Sequence, residues 1–293
     1  MDWNSKPVSE LLRAALREDH AGEDATSSAL IPPGTHAQAR LLCRQRCRLA
    51  GLGLIEPLLR ELATLARATE NEDWQARVVA LYASDGDELN EGQLVAQLAG
   101  SARALLAAER TLLNFIQHLS GIATQTARFV AAVAGTGARI LDTRKTTPGL
   151  RELEKYAVRI GGGVNHRPHL AGGVLIKNNH LALAGGVEQA FRAACRSYAP
   201  ETIEIEVRTL DEVRAARAVG ARWLLLDNMT PEEVRAAALA VGADMRLEVS
   251  GGVRLQNVRA YAEAGIAEIS AGALTHSAPA ADFSLRLGPG PAA

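Results

Sequence analysis

The chain has 293 residues, 47% of them hydrophobic, and its 32 basic and 33 acidic side chains leave a formal net charge of -1. That is enough apolar material for one large or two smaller cored domains, and the charge balance excludes a general attraction to nucleic acid or an anionic membrane. Any anion binding must be local. Three cysteines, Cys43, Cys47 and Cys195, make no disulfide framework. No run of about 18 apolar residues suggests a membrane span, and the opening Met-Asp-Trp-Asn lacks the features of a secretion signal. The expectation is a cytoplasmic protein without nucleic-acid or membrane partners.

In chain order, residues 7–19 read as an amphipathic helix with Val8, Leu11, Leu12, Ala15 and Leu16 on one face. Residues 22–28 follow as a polar, turn-rich loop. Strand-like runs at 36–50, 74–83 and 93–99 flank a helical stretch at 54–65, with Asp85-Gly86-Asp87 supplying turn chemistry. This describes a small α+β N-terminal domain. A long helical pattern from 102 to about 133, with a break expected near Ser120-Gly121, joins it to a second region. There, short apolar strands alternate with amphipathic helices: 139–141, 174–176, 203–205, 223–226, 246–249 and 268–270. The last four begin roughly every 20 residues, the length of one βα unit.

Units of this kind build either an open doubly wound sheet or a barrel, and the residues that end the strands favour the barrel. They are Thr143-Arg144-Lys145, Lys177, Glu206, Asp227, Ser250-Gly251-Gly252 and Ala271-Gly272-Ala273. In a β/α barrel these ends converge on one rim, where chemistry sits. The fold class expected is therefore α/β, with an N-terminal α/β domain and a parallel barrel.

The chain uses arginine almost everywhere and has lysine only at 6, 145, 155 and 177, so three of its four lysines fall in or beside one block. Arg110, Arg144 and Arg167 can each grip a carboxylate or phosphate as a fork, Lys145 and Lys177 add point charges, and His166 adds a donor. The glycine pairs of the last two units suit a phosphate. Glu206 and Asp227, at adjacent strand ends, can hold Mg²⁺, bind ribose hydroxyls or stabilise positive charge at an anomeric carbon. His180 and His276 are either proton carriers or loop braces. A metal site at Cys43 and Cys47 lacks further ligands nearby, and Pro168 argues against His166 and His169 as a helical ligand pair. Two other classes compete: an aldolase-type barrel with Lys177 as Schiff-base nucleophile, and a non-catalytic anion-binding module, which leaves Glu206 and Asp227 unexplained.

At these residues the sequence resembles the nicotinate-nucleotide pyrophosphorylase (carboxylating) family, also called quinolinate phosphoribosyltransferase. The match includes Asp24-Ala25-Thr26-Ser27, Glu109-Arg110 with Asn114, Asp142 through Arg151, Lys155-Tyr156-Ala157-Val158, Gly161-Gly162-Gly163 with His166-Arg167, Ile176-Lys177 with Asn179-His180, Asp227-Asn228-Met229 and Ser250-Gly251-Gly252. The resemblance implies transfer of phosphoribose from phosphoribosyl pyrophosphate to quinolinate with Mg²⁺ and decarboxylation, giving nicotinate mononucleotide for NAD synthesis. It also implies an N-terminal α/β sandwich at 1–115, an incomplete α/β barrel at 116–276, and a segment at 277–293 that returns to the first domain. Homodimers with shared sites, in some cases hexamers, are implied as well.

By position, Arg110 would reach in from a neighbouring subunit. Arg144, Lys145, His166, Arg167 and Lys177 would surround the carboxylates and pyrophosphate, with Thr143 beside them. Glu206 and Asp227 would lie by ribose and metal, and Ser250, Gly251, Gly252, Ala271, Gly272 and Ala273 would take the 5-phosphate. Two departures stand out: Asn178, where the family often has aspartate, and the absence of an acidic residue near Gly172-Gly173. They keep open a related paralogue associated with molybdate transport genes, of unknown substrate.

Overall fold

The computed structural model describes residues 1–68, 74–242 and 244–289. It divides into two compact units, Met1–Thr124 with Pro279–Ala293, and Gln125–Ala278.

In the first unit, helix α1 (Lys6–Glu18) buries Val8, Leu12 and Leu16 along one stripe, as its periodicity predicts. The expected loop at 22–28 instead contains a short helix, α2 (Ala25–Leu30). Asp24 caps it by accepting from the amides of Thr26 (3.0 Å) and Ser27 (3.1 Å), which offsets the weak intrinsic propensity of Thr-Ser-Ser. The run at 36–50 is not one strand. Strand β1 (His36–Cys43) ends where the Arg44 amide donates to Asp282, and the chain turns into β2 (Cys47–Arg48). Helix α3 (Ile55–Ala68) packs on α1, with Arg13 bonded to Glu61 at 2.8 Å. Strand β3 (Ala76–Leu81) follows, then β4 (Glu88–Leu89), which pairs with β2, and β5 (Leu94–Ser101). The main sheet is antiparallel in the order Phe283–Pro289, β1, β5, β3. The final described strand thus completes the N-terminal sheet.

Helix α4 (Ala102–Ala132) runs without the expected break. Gly121 serves another purpose, because a Cβ there would lie 2.2 Å from the carbonyl oxygen of Pro279. The helix meets the returning chain backbone to backbone. Gly121→Ala should destabilise the protein by about 1–3 kcal/mol, the usual cost of overpacking, and urea denaturation would show it; an unchanged midpoint would mean that the returning chain gives way freely.

The second unit alternates strand and helix: β6 (Arg139–Leu141), α5 (Arg151–Ile160), β7 (Val174–Ile176), α6 (Asn178–Ala184), α7 (Val187–Ala194), β8 (Ile203–Val207), α8 (Leu210–Ala218), β9 (Trp223–Asp227), α9 (Pro231–Val241), β10 (Arg246–Ser250), α10 (Val258–Glu263), β11 (Glu268–Ser270) and α11 (Ala273–His276). The helix starts have sequence reasons. Thr230 and Glu233 form a reciprocal capping box around Pro231, and Thr209 caps α8.

The six strands are parallel in the order β6-β11-β10-β9-β8-β7. This is the cyclic order of a barrel, opened between β6 and β7. Val164 partly fills the seam, donating its amide to Ile140 (2.8 Å) and accepting from the Asp142 amide (3.1 Å). The incomplete barrel is thus observed. β8 and β11 are buried at every position, as expected for strands covered on both faces, and all six strands deliver their C-terminal ends to the same side.

Candidate active site

At those strand ends lies a cavity of about 330 Å³ lined by residues that include Thr143, Arg144, Lys145, His166, Arg167, Lys177, Glu206, Asp227 and Ser250. Ten residues named from sequence are thereby placed, nine on this wall and Arg110 elsewhere: it is exposed on α4 in the other unit and is not among the lining residues.

The wall is organised by a buried ion pair. Asp142, at the end of β6, is fully buried and pairs with Lys155 of α5; it also accepts from the His166 amide (2.8 Å) and the Asn165 side chain (2.6 Å). Lys155 donates in turn to the His166 carbonyl at 3.0 Å. Burial pushes the Asp142 carboxyl up and the Lys155 ammonium down, each opposed by its partner. This cluster fixes the loop that carries Arg167.

Arg144 and Arg167 form the cationic face. Burial and the neighbouring Arg144 charge lower the proton affinity of Arg167, and the Nε donors of both arginines are buried with no hydrogen-bond partner. Arg167 Nη1 donates to the Gly173 carbonyl at 2.8 Å. Across the rim, Lys177 Nζ lies 2.9 Å from Glu206 Oε2, while the Asn178 side chain and amide both donate to Glu206 Oε1 (2.5 and 3.3 Å). Asp227 accepts from Arg208 (3.3 Å) and Asn228 (2.9 Å). Each strand-end carboxylate therefore already has a cation beside it.

His166 is committed inward. Its Nδ1 accepts the Arg167 amide at 2.8 Å, and its Nε2 lies 3.2 Å from Glu204 and 3.5 Å from Glu248. His180 is a brace, its Nδ1 accepting the Lys177 amide at 2.9 Å. The cysteines Cys43 and Cys47 are free, buried and 3.5 Å apart.

The glycine loops flank the cavity without lining it. Gly251 and Gly252 have φ of +86° and +63°, and a Cβ on Gly251 would sit 2.4 Å from Asn228 Oδ1. Ala271 is buried and donates its amide to Leu141. A Cβ on Gly272 would lie 2.8 Å from His276 Nε2, and Ala273 opens α11.

Sequence reasoning missed Asp142 and Lys155 as the organising pair, Glu248 and Ser270 in the cavity wall, Glu204 beside Glu248, and Asn178 and Arg208 as partners of the strand-end carboxylates. A signal was present in the strands themselves. Ile-Glu-Ile-Glu-Val and Leu-Glu-Val place glutamates inside apolar runs, and in a barrel those positions are buried.

The chain matches the family models described as quinolinate phosphoribosyl transferase, N-terminal domain, over residues 24–120 and C-terminal domain over residues 122–286. It is similar to the nicotinate-nucleotide pyrophosphorylase [carboxylating] of Mycobacterium leprae, 41% identical over 285 residues, with 95% of this chain and 96% of that protein covered. A probable counterpart from Bacillus subtilis is 38% identical over 283 residues, covering 96% and 94%. Among solved structures, NadC from Streptococcus pyogenes (38% identity, TM-score 0.83) and the nicotinate-nucleotide pyrophosphorylase from Francisella tularensis (34%, TM-score 0.85) each match with 96% of both chains covered. With both domain models matched in order along one chain, and relatives of this identity spanning nearly all of it, the protein belongs to the quinolinate phosphoribosyl transferase family.

Proposed function

We propose that the protein transfers phosphoribose from phosphoribosyl pyrophosphate to the nitrogen of quinolinate and releases pyrophosphate and carbon dioxide, forming nicotinate mononucleotide for NAD synthesis. The observation that carries this is the pair Arg144 and Arg167, two neighbouring cations whose buried Nε donors lack partners in a cavity of about 330 Å³. Such a face is incomplete without an anion, and a dicarboxylate satisfies both forks. Family membership supplies the reaction. As pyrophosphate leaves, positive charge grows at the anomeric carbon, and Glu206 and Asp227 lie on the same rim to meet it.

Mg²⁺ suits the carboxylate oxygens of Glu206 and Asp227. Because Lys177 and Arg208 already neutralise them, the ion would enter with the pyrophosphate and touch these residues through water, as Mg²⁺ commonly does. It would supply charge neutralisation for the departing pyrophosphate. Gly251, Gly252 and Gly272, with Ala271 and Ala273, remain the proposed 5-phosphate loops. Arg110 would complete the site from a second copy in a homodimer, with assembly into hexamers a further step. The working compartment is proposed to be the cytoplasm; no helix among the described residues is long and apolar enough to cross a membrane. A Schiff-base role needs a neutral amine, and Lys177 is held in a salt bridge instead.

Incubation with Mg²⁺, phosphoribosyl pyrophosphate and either quinolinate or nicotinate tests the reading. Nicotinate mononucleotide is expected from quinolinate alone and is lost when EDTA removes Mg²⁺; no product from quinolinate with a folded sample would overturn it.

A further inference from the structure

Loss of carbon dioxide from the ring leaves an electron pair that must collect a proton. We infer that Glu248 is the acid that supplies it, delivering its proton to the ring carbon from which carbon dioxide departs; this rests on the reading above.

Two fully buried carboxyls, Glu204 and Glu248, face one imidazole nitrogen, with contributing atoms of all three groups within 4.8 Å of one another. The trio has the composition of a metal site, but Nδ1 of His166 is occupied by the Arg167 amide, so the ring proton is on Nε2 and that nitrogen cannot ligate. Burial works against a charge on this ring, and the neighbouring Glu204 and Glu248 more than offset it, raising the proton affinity of His166. Two buried carboxylates would have at most one ring charge between them and would repel, so one carboxyl keeps a proton.

Other charges in reach do not change this count. Glu268 on the next strand adds negative charge and is itself held by Arg139 and Arg246. Lys155, behind His166, is committed to Asp142.

Glu204 Oε2 lies nearer to His166 Nε2, at 3.2 Å, than Glu248 Oε1 does, at 3.5 Å. Ser270 donates to Glu248 Oε1 at 2.6 Å, leaving Oε2, which has no partner, to hold the proton. Burial first, and then the Glu204 charge, push Glu248 up to about 8. Position makes the distinction useful, because Glu248 lines the active cavity whereas Glu204 lines a separate cavity with the N-terminal strand residues Arg139, Trp223 and Arg246. The remaining wall is poor in acids: arginines hold their protons too tightly, Asp142 is locked to Lys155, and Glu206 and Asp227 face cations. Lys145 is the rival donor.

The step balances. The bond from C2 to its carboxylate breaks with the electron pair staying on C2 beside the cationic ring nitrogen, and carbon dioxide leaves. A C2–H bond then forms with the Glu248 proton, the O–H pair remains on Glu248 as carboxylate, and solvent restores the acid. One proton is consumed per turnover. Until C2 is protonated, carbon dioxide still in the cavity can recombine with it, so a missing acid slows net release.

Pyrophosphate and carbon dioxide should be timed separately. In Glu248→Gln, pyrophosphate release should persist while carbon dioxide release falls by about 10²-fold or more, the usual contribution of a positioned acid, and quinolinate mononucleotide should accumulate. Equal release of both products from this variant at the wild-type rate would overturn the assignment in favour of Lys145 or water. The unmodified enzyme gives a second arm should the variant fail to fold. The acid is present below its pKa, so carbon dioxide release should hold up to pH about 8 and lag pyrophosphate above it; strict one-to-one release through pH 9.5 would also overturn it. Absence of pyrophosphate from the unmodified enzyme would mark failure of the underlying function instead.

Discussion

Arg144→Ala is expected to lower kcat/KM for quinolinate by about 10²–10³-fold with little change in stability. Truncating one member of a buried, charge-assisted contact typically costs about 2–5 kcal/mol. Stability should hold because, among the described residues, no carboxylate forms an ion pair with Arg144, and removing its side chain relieves repulsion on Arg167. Lysine should rescue poorly, since a point charge cannot replace a planar fork. Steady-state kinetics beside a thermal melt would separate the two effects; a variant retaining near-normal kcat/KM would show that the arginine pair is not the carboxylate face.

Lys155→Met should be the most damaging substitution for folding, costing about 3–5 kcal/mol, because it leaves Asp142 buried without its cation. Asp142 has no exposure and Lys155 almost none, so water cannot take the partner's place. The loss should reach function through the loop, as the same ammonium holds the His166 carbonyl. Urea denaturation measures the first consequence and quinolinate binding the second. A variant as stable as the parent would mean that Asp142 takes up a proton at no cost, and that the loop is held by Asn165 and the amide of His166.

Much of the second unit was legible because its strands are short apolar runs bounded by polar residues. β6, β7 and β11 coincide with the sequence reading, and the other three extend it by one or two residues. The first unit was read less well where side chains override pattern: Asp24 turns an apparent loop into α2, and Gly121 reads as a helix break although it makes room for the chain at Pro279. In the site, cations at strand ends were visible from their residue types, whereas Glu204 and Glu248 were not. A strand written Ile-Glu-Ile-Glu-Val looks half exposed by alternation, and only closure of the sheet shows that both faces are inside. By residue type His166 offers a donor to substrate, and only three-dimensional contacts reveal that its Nε2 faces two carboxyls instead.

The open seam between β6 and β7 gives the two sides of the cavity unequal cooperativity. Glu206 and Asp227 stand on strands stitched to neighbours on both sides, so moving them means breaking the sheet. Arg167 belongs to the stretch that bridges the seam through the two backbone bonds of Val164 and the Asp142 cluster. With fewer ladder bonds than a paired strand, that stretch can open locally without breaking the sheet, and an anion gripped by Arg144 and Arg167 would hold it to the rigid wall. Occupancy of the site would then be recorded as slower amide exchange along the seam.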